Sequence, residues 1–321
     1  MDKKWIYFIQ LSNHCDDENG PGPDIFWFRD YKDSSKDPNN NIDYELWDKI
    51  VKRAGECGYT HLLIDIGDAI QYKSHPEIAA PDALSIEDFK KLLDKARSCG
   101  LTPLPKLNFS TIHHHWLKEY RRMVSSDIYR KVCVDLINEV CDIFETPELF
   151  HLGMDEEQSF DCASWGEIAV MRSPKLLFED FGLMFDAVRK KGSRPWVWAD
   201  YFWNHPDIFL ENMPKDVVLS NWFYGRFRDY PKTDYHYNTL NAYSAFEEAG
   251  YDQIPTCSTY DNPFNPGETL MHIPTVVSQT HLMGYCMAPW ILIESENEHL
   301  LLDSVERFYF ARKDICPETL K

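Results

Sequence analysis

Three consecutive carboxylates, Asp155, Glu156 and Glu157, follow a short apolar segment at residues 149–152. That segment has the length of a buried strand, so the acidic residues are predicted where the strand ends. Acidic side chains are rarely buried without a partner or a function. Because adjacent carboxylates repel each other, at least one pKa should rise, and a carboxylic acid that stays protonated near neutral pH can act as a general acid. A solvated loop before a helix N-terminus would also explain acidic residues here.

A repeated pattern of helix, glycine and short apolar strand predicts how the chain positions these residues. The glycines that end the helical patterns are Gly58, Gly100, Gly192, Gly250 and Gly284. The predicted strands are residues 5–11, 61–66, 103–107, 149–152, 196–200, 217–220, 254–259 and 285–292. The predicted helices are residues 43–57, 86–99, 127–144, 174–191, 206–212, 240–249, 268–283 (kinked at Pro274) and 298–313.

Apolar strands that alternate with helices indicate a parallel sheet covered by helices. Eight such units predict an α/β fold of the (β/α)8 TIM-barrel type, with residues 1–321 as a single domain. A doubly wound open sheet is the alternative, but no glycine-rich dinucleotide or phosphate loop supports it.

Composition limits the partners that we expect. The 321 residues are 44% hydrophobic and 26% charged, which is enough apolar mass for a large core. A net charge of −19 and the lack of a basic run argue against nucleic acid and anionic membranes as partners. The nine cysteines form no CxxC pair, and residues 1–10 resemble a strand rather than a signal peptide. We therefore expect a cytoplasmic protein without a disulfide framework, membrane span or cofactor.

In a (β/α)8 barrel the active site forms at the carboxyl ends of the strands. The residues predicted there are acids, amides and tryptophans with few cations, a set that suits a neutral polyol such as a sugar. Part of the set, Asp65 and Asp68 above all, is expected only to tie strands to loops. The candidates are Asn13, His14, Asp65, Asp68, Asn108, His151, Asp155, Glu156, Trp198, Asp200, Asn221, Trp222, Tyr260, Asp261, Trp290 and Glu294.

The segment His151-Leu152-Gly153-Met154-Asp155-Glu156 resembles the His-x-Gly-Gly-Asp-Glu motif of glycoside hydrolase family 20, the β-N-acetylhexosaminidases. That family carries the motif at the end of strand four, where it is predicted here. The likeness extends over most of the barrel, to Trp198 and Asp200 at strand five, Tyr260 and Asp261 at strand seven, and Trp290 and Glu294 at strand eight.

The resemblance implies a retaining, substrate-assisted glycosidase, in which the 2-acetamido oxygen of the substrate attacks the anomeric carbon. Asp155 would orient the acetamido N–H, and Glu156 would protonate the leaving oxygen and then activate water. Tyr260 would hydrogen-bond the acetamido oxygen. The implied substrate contacts are Trp198, Trp222 and Trp290 around the ring, Glu294 at its outer hydroxyls, and Asn13, His14, Asn108, His151, Asp200 and Asp261 nearby.

The chain departs from the family pattern in ways that concern the sugar more than the chemistry. Met154 replaces the second glycine of the motif, and Asn13 and His14 stand where the family has an arginine. The spacing from Trp290 to Glu294 is longer, and the α/β domain that usually precedes the barrel has no counterpart in these residues. A non-catalytic sugar-binding barrel is therefore an alternative.

A second alternative is a metal-dependent hydrolase on the same fold. His113, His114 and His115 are consecutive, and His151 and Asp155 are predicted at the same end of the barrel. Consecutive histidines cannot all face one ion, and the His-x-His pair typical of the first strand in such enzymes is absent. We therefore predict no metal site.

Overall fold

The computed structural model describes residues 3–11, 43–157 and 170–320. Its eight strands are all parallel and are hydrogen-bonded in the order β6-β5-β4-β3-β2-β1-β8-β7. Bridges from Leu219 to Gln253 and from Trp222 to Thr256 join β6 to the β7 segment, so the sheet closes on itself. The predicted (β/α)8 barrel is confirmed. The strands are β1 Lys4–Gln10, β2 His61–Asp65, β3 Thr102–Lys106, β4 Leu149–His151, β5 Arg194–Trp198, β6 Val218–Ser220, β7 Thr256–Cys257 and β8 Gly284–Met287.

Helices follow the strands, and serine side chains cap several of them. Ser85 Oγ, for example, accepts a hydrogen bond from Asp88 N at 3.0 Å and so fixes the first turn of α2. No helix in the described ranges has the length and apolarity needed to cross a bilayer. The α-helices are α1 Tyr44–Glu56, α2 Ile86–Ser98, α3 Asp127–Ile143, α4 Pro174–Lys190, α5 Tyr201–Asn204, α6 Pro206–Asn212, α7 Tyr235–Glu248, α8 Asn265–Val276 and α9 Glu298–Ile315.

Several elements differ from the sequence prediction, and three of these differences have a clear physical cause. Helix α7 begins at Tyr235, earlier than predicted, because Asp234 Oδ1 accepts from His236 N at 2.9 Å and caps it. Helix α8 ends soon after Pro274 instead of continuing to residue 283, because proline removes a helical N–H and crowds the preceding turn. Strand β8 ends at Met287, before Trp290, whose φ of 56° is incompatible with an extended strand.

Alternate strand residues face the interior of the barrel, as the period of two requires. Phe8, Leu63, Leu104 and Leu149 belong to a buried inner cluster that also contains Trp198 and Trp290. Two residues further along each strand, the inward positions become polar. Gln10, Asp65, Lys106 and His151 are register partners on four neighbouring strands and form a buried polar layer. This layer lies toward the carboxyl end of the barrel, where the predicted site residues gather.

Candidate active site

The chain turns sharply after β4 and thereby presents the acidic pair. Gly153, Met154 and Glu156 have φ values of 76°, 79° and 54°, in the left-handed region that favours glycine. Gly153 is also required sterically, because a Cβ there would lie 1.9 Å from Asn108 Oδ1. Backbone strain of this kind concentrates at functional sites, where the surrounding structure holds it in place.

Asp155 is held rigidly by its neighbours on the loop after β3. Asn108 Nδ2 donates to Asp155 Oδ1 at 3.0 Å, and Ser110 Oγ lies 2.6 Å from the same oxygen. The Asp155 N–H donates in return to Ser110 Oγ at 2.9 Å. Burial alone would raise the pKa of Asp155, but the positive charges of His113 and Lys106, with these hydrogen bonds, outweigh it and lower the pKa. Asp155 is therefore an ionised acceptor of fixed orientation.

His113 lies between the two carboxylates of the site. Its Nε2 is 2.8 Å from Glu156 Oε2 and 3.5 Å from Asp155 Oδ2. Burial alone would lower the pKa of His113, but the charge of Asp155 and the hydrogen bond and charge of Glu156 outweigh it and raise the pKa to about 9. At neutral pH, His113 is therefore a positively charged imidazolium next to Glu156.

Asp200 supports the turn from the end of β5. Its Oδ2 accepts a hydrogen bond from the Glu156 N–H at 2.8 Å, and its Oδ1 accepts from Trp222 Nε1 at 3.1 Å. Burial, followed by repulsion from Asp155, raises the pKa of Asp200 well above the ordinary range. Asp200 thus connects the backbone of the candidate acid to one wall of the site.

The third carboxylate of the sequence run has a different role. Glu157 is buried in an ion pair with Arg172, and it accepts hydrogen bonds from Thr111 N at 2.9 Å and Thr111 Oγ1 at 3.2 Å. A buried carboxylate that is paired and hydrogen-bonded in this way ties loops together rather than facing a ligand.

A cavity of about 260 Å³ opens directly over Asp155 and Glu156. Tryptophan rings form its walls, and Trp290 Nε1 donates to the Tyr224 hydroxyl at 2.8 Å. Trp222 stacks on Tyr224 with ring centroids 5.2 Å apart. Tyr260 and Asp261 are exposed at the mouth. The lining consists of His113, Asp155, Glu156, Trp198, Trp222, Tyr224, Tyr260, Asp261 and Trp290.

Most of the predicted site residues meet at this cavity or support it. His151 lies below it: its ring centroid is 4.3 Å from that of Trp198, and its Nδ1 accepts from Gly153 N at 3.0 Å. Burial lowers the pKa of His151 well below its ordinary value, so this histidine is a neutral support. Glu294 is outside the lining formed by the described residues. Asn13 and His14 lie outside the described residues.

Sequence reasoning does not single out two residues of the lining. His113 enters it only as part of the histidine run, and Tyr224 does not enter it as a site residue although it follows Trp222 at a strand end. The sequence feature that could have identified both residues is their position, because each lies in a loop that follows the carboxyl end of a strand.

The three consecutive histidines diverge. His113 faces the carboxylates, His114 packs against Tyr129 with ring centroids 6.4 Å apart, and His115 contacts Arg121. Burial lowers the pKa of His114 well below its ordinary value. Throughout residues 3–11, 43–157 and 170–320, no group of three or more His, Cys, Asp or Glu side chains is placed to hold a metal ion.

The closed eight-stranded sheet, with an acidic, tryptophan-walled cavity at its carboxyl end, defines a divergent barrel like that of the GH20 β-N-acetylhexosaminidases. Among solved structures, it is similar to β-N-acetylhexosaminidase from Bacteroides fragilis, with a TM-score of 0.62 and 15% identity over 99% of this chain and 71% of that one. It is also similar to the GH20 exo-β-N-acetylglucosaminidase from Vibrio harveyi in complex with N-acetylglucosamine, with a TM-score of 0.62 and 11% identity over 99% and 58% of the two chains.

One curated protein with a similar sequence is lacto-N-biosidase from Bifidobacterium bifidum, which is 22% identical over 255 residues. The match covers 71% of this chain but 23% of the relative, so the chain spans about a quarter of that protein's length. No model of a known protein family matches the chain.

Proposed function

We propose that this protein is a glycoside hydrolase that releases β-linked N-acetylhexosamine by a retaining, substrate-assisted mechanism. The observation that carries the proposal is the adjacent pair Asp155 and Glu156 at the floor of a tryptophan-walled cavity. The likeness of the barrel to hexosaminidase barrels supports the same class of reaction. A carbohydrate is therefore the proposed substrate.

Asp155 orients the acetamido group in this mechanism. Asn108 and Ser110 occupy Oδ1, while Oδ2 faces the His113 side of the cavity and accepts the acetamido N–H. This bond turns the acetamido oxygen toward the anomeric carbon, where it displaces the leaving group and closes a five-membered ring. Because Asp155 is ionised, it also stabilises the positive charge that develops on that ring.

Glu156 moves the protons. As an acid it protonates the departing glycosidic oxygen, and as a base it then accepts a proton from the water that opens the cyclic intermediate. The proton taken from that water restores the acid for the next turnover, and His113 Nε2, 2.8 Å from Glu156 Oε2, holds the carboxyl group in position. Trp198, Trp222 and Trp290 cover the apolar faces of the sugar, and Tyr260 at the mouth donates to the acetamido oxygen.

The test is hydrolysis of aryl N-acetyl-β-glucosaminide and N-acetyl-β-galactosaminide beside the corresponding plain hexosides. We expect turnover of the acetamido compounds and inhibition by a thiazoline analogue of the cyclic intermediate. Glu156→Gln should lose about 10²- to 10⁴-fold in kcat, the usual contribution of general acid–base catalysis, while thiazoline binding survives. If Glu156→Gln hydrolyses the substrates as well as the wild type, the assignment of the acid is wrong. Sugar binding without turnover in the wild type would instead identify a non-catalytic barrel.

A further inference from the structure

Two further cavities lie beside the candidate active site, along the loops after β7 and β8. The first measures about 260 Å³ and shares Tyr260 and Trp290 with the active-site cavity. The second measures about 380 Å³ and shares Pro263, Asp303 and Arg307 with the first. The three cavities therefore adjoin one another in a row, from the acidic pair to the cleft between α8 and α9. We call the two outer cavities the α8–α9 groove.

Exposed aromatic side chains line this groove. Phe264, which precedes α8, is 64% exposed, and Phe310 on α9 is 49% exposed. Tyr260, at the junction with the active-site cavity, is 46% exposed. Large aromatic rings left in water along a groove mark a binding surface, and the apolar face of a sugar ring is a natural partner for them.

Helix α9 supplies one wall of the groove through residues spaced three or four apart. Leu300, Asp303, Arg307 and Phe310 therefore lie on one face of the helix. Ten residues of α-helix rise about 15 Å, so this wall is several times longer than the contact that one sugar ring makes. A small monosaccharide would leave most of it uncovered.

The polar edge of the groove offers both donors and acceptors. Arg307 Nε donates to Asp303 Oδ2 across one helical turn, and both side chains are about half exposed. The remaining guanidinium N–H groups and carboxylate lone pairs suit sugar hydroxyls. Because Asp303 neutralises Arg307 and the chain carries a net charge of −19, a polyanionic glycan would be repelled.

We propose that the α8–α9 groove binds sugar residues adjoining the one that is cleaved, so that the substrate is a neutral oligosaccharide of several residues. The proposal rests on the proposed glycosidase function. Because the groove adjoins the active-site cavity at Tyr260 and Trp290, the occupant that we infer is the same glycan chain.

The experiment measures kcat/KM on neutral chitin oligosaccharides of two to five residues and on aryl N-acetyl-β-glucosaminide. For the wild type, kcat/KM should rise with chain length. Phe264→Ala and Phe310→Ala should each lower the ratio of kcat/KM for the longest oligosaccharide to that for the aryl glycoside by between about 2- and 12-fold. The control is Met271→Ala on α8, which removes another exposed apolar side chain outside the groove lining and should keep the ratio.

The experiment distinguishes failure of the groove proposal from failure of the proposed glycosidase function. Turnover of the aryl glycoside with no dependence on chain length, or with a ratio unaffected by the phenylalanine variants, would contradict the groove proposal alone. A change in oligomeric mass without a change in the ratio would make the groove a contact between copies of the chain. If nothing is hydrolysed, the glycosidase function fails, and calorimetric titration with the longest oligosaccharide then tests the groove by itself. Weaker binding by Phe264→Ala and Phe310→Ala, but not by Met271→Ala, would support the groove proposal. Equal binding by all three variants would overturn it.

Discussion

Asp155 and Glu156 are adjacent in sequence, yet the protein holds them in different ways. Asp155 is buried and receives hydrogen bonds from Asn108 and Ser110 at one oxygen. The Glu156 side chain is partly exposed to the cavity and contacts His113. A fixed, ionised acceptor suits an orienting role, and a more accessible carboxylate suits proton transfer to a ligand.

Replacement of Asp155 by asparagine tests the orienting role. The Asp155→Asn variant keeps the shape of the side chain but loses the negative charge that would stabilise the proposed cyclic intermediate, so kcat/KM on acetamido substrates should fall about 10²-fold or more. Aryl N-acetyl-β-glucosaminide and the plain β-glucoside with the same leaving group provide the comparison. The residual rate on the plain sugar should change less, and equal losses on both substrates would remove the case for substrate assistance.

The raised pKa of His113 predicts how stability depends on pH. The unfolded value is near 6.5 and the folded value about 9, so the stabilisation is fully present below pH 6.5 and is lost as pH rises through about 9. The free energy of unfolding of the wild type, relative to His113→Gln, should therefore decrease by the order of 3 kcal/mol between pH 6 and pH 10. Urea unfolding at a series of pH values measures this difference. A difference that stays constant would show that His113 has the same pKa in the folded and unfolded states, so that the contacts with Asp155 and Glu156 do not raise it.

The sequence predicts a site residue when that residue lies next to a segment with a clear strand pattern. Asp155 and Glu156 follow an apolar strand, and Trp198 lies at a strand end, so their positions follow from periodicity and from the location of active sites in (β/α)8 barrels. The role of His113 depends on a 2.8 Å contact between the loop after β3 and the turn after β4. Contacts between loops that are distant in sequence leave no periodic trace, so the sequence does not reveal this role.

At the scale of elements, the turn after β4 is the feature that a local pattern describes least well. Met154 has a φ of 79° and is fully buried, so the packing of its side chain in the core offsets the strain of its backbone. The same conflict appears at β8, where a run of apolar residues predicts a long strand but the backbone of Trp290 leaves the extended region. Local apolar content predicts that a segment is buried but not where its backbone changes direction.

Two substitutions of Met154 separate packing from strain. Met154→Ala and Met154→Gly both remove the buried side chain, which should cost about 2 to 5 kcal/mol. The glycine variant also releases the left-handed strain, so it should be more stable than the alanine variant by about 1 kcal/mol. Urea unfolding of both variants gives the comparison.

The control is the exposed helical position Lys90 in α2, where the backbone is regular. There Lys90→Ala should be more stable than Lys90→Gly by about 1 kcal/mol, the ordinary helical preference. If alanine is also the better replacement at Met154, the turn is not strained in solution.

At the scale of the whole molecule, a buried charged layer inside the barrel lies beneath the candidate active site. Lys106 and Asp65 are register partners on β3 and β2, and they form a fully buried ion pair within the polar layer of Gln10, Asp65, Lys106 and His151. The Lys106 ammonium also lies 5.6 Å from the ring centroid of Phe8. After His113, the charge of Lys106 contributes to the lowered pKa of Asp155. The barrel interior thus supports both the fold and the ionisation of the candidate site.

Because Asp65 and Lys106 form a buried pair, the effects of substitutions at these two positions on the free energy of unfolding should not be additive. Lys106→Met leaves the Asp65 carboxylate in the interior without its cation, and it should lower the free energy of unfolding by about 3 to 5 kcal/mol. Asp65→Leu combined with Lys106→Met removes both charges and should be less destabilising than Lys106→Met alone, because apolar residues of similar volume fill the space. Urea unfolding of the wild type, both single variants and the double variant measures the coupling. If the losses in unfolding free energy of the two single variants add up to that of the double variant, the pairing is contradicted. If the double variant recovers stability but turns over acetamido substrates more slowly, the Lys106 charge is needed for the ionisation of Asp155 rather than for the barrel.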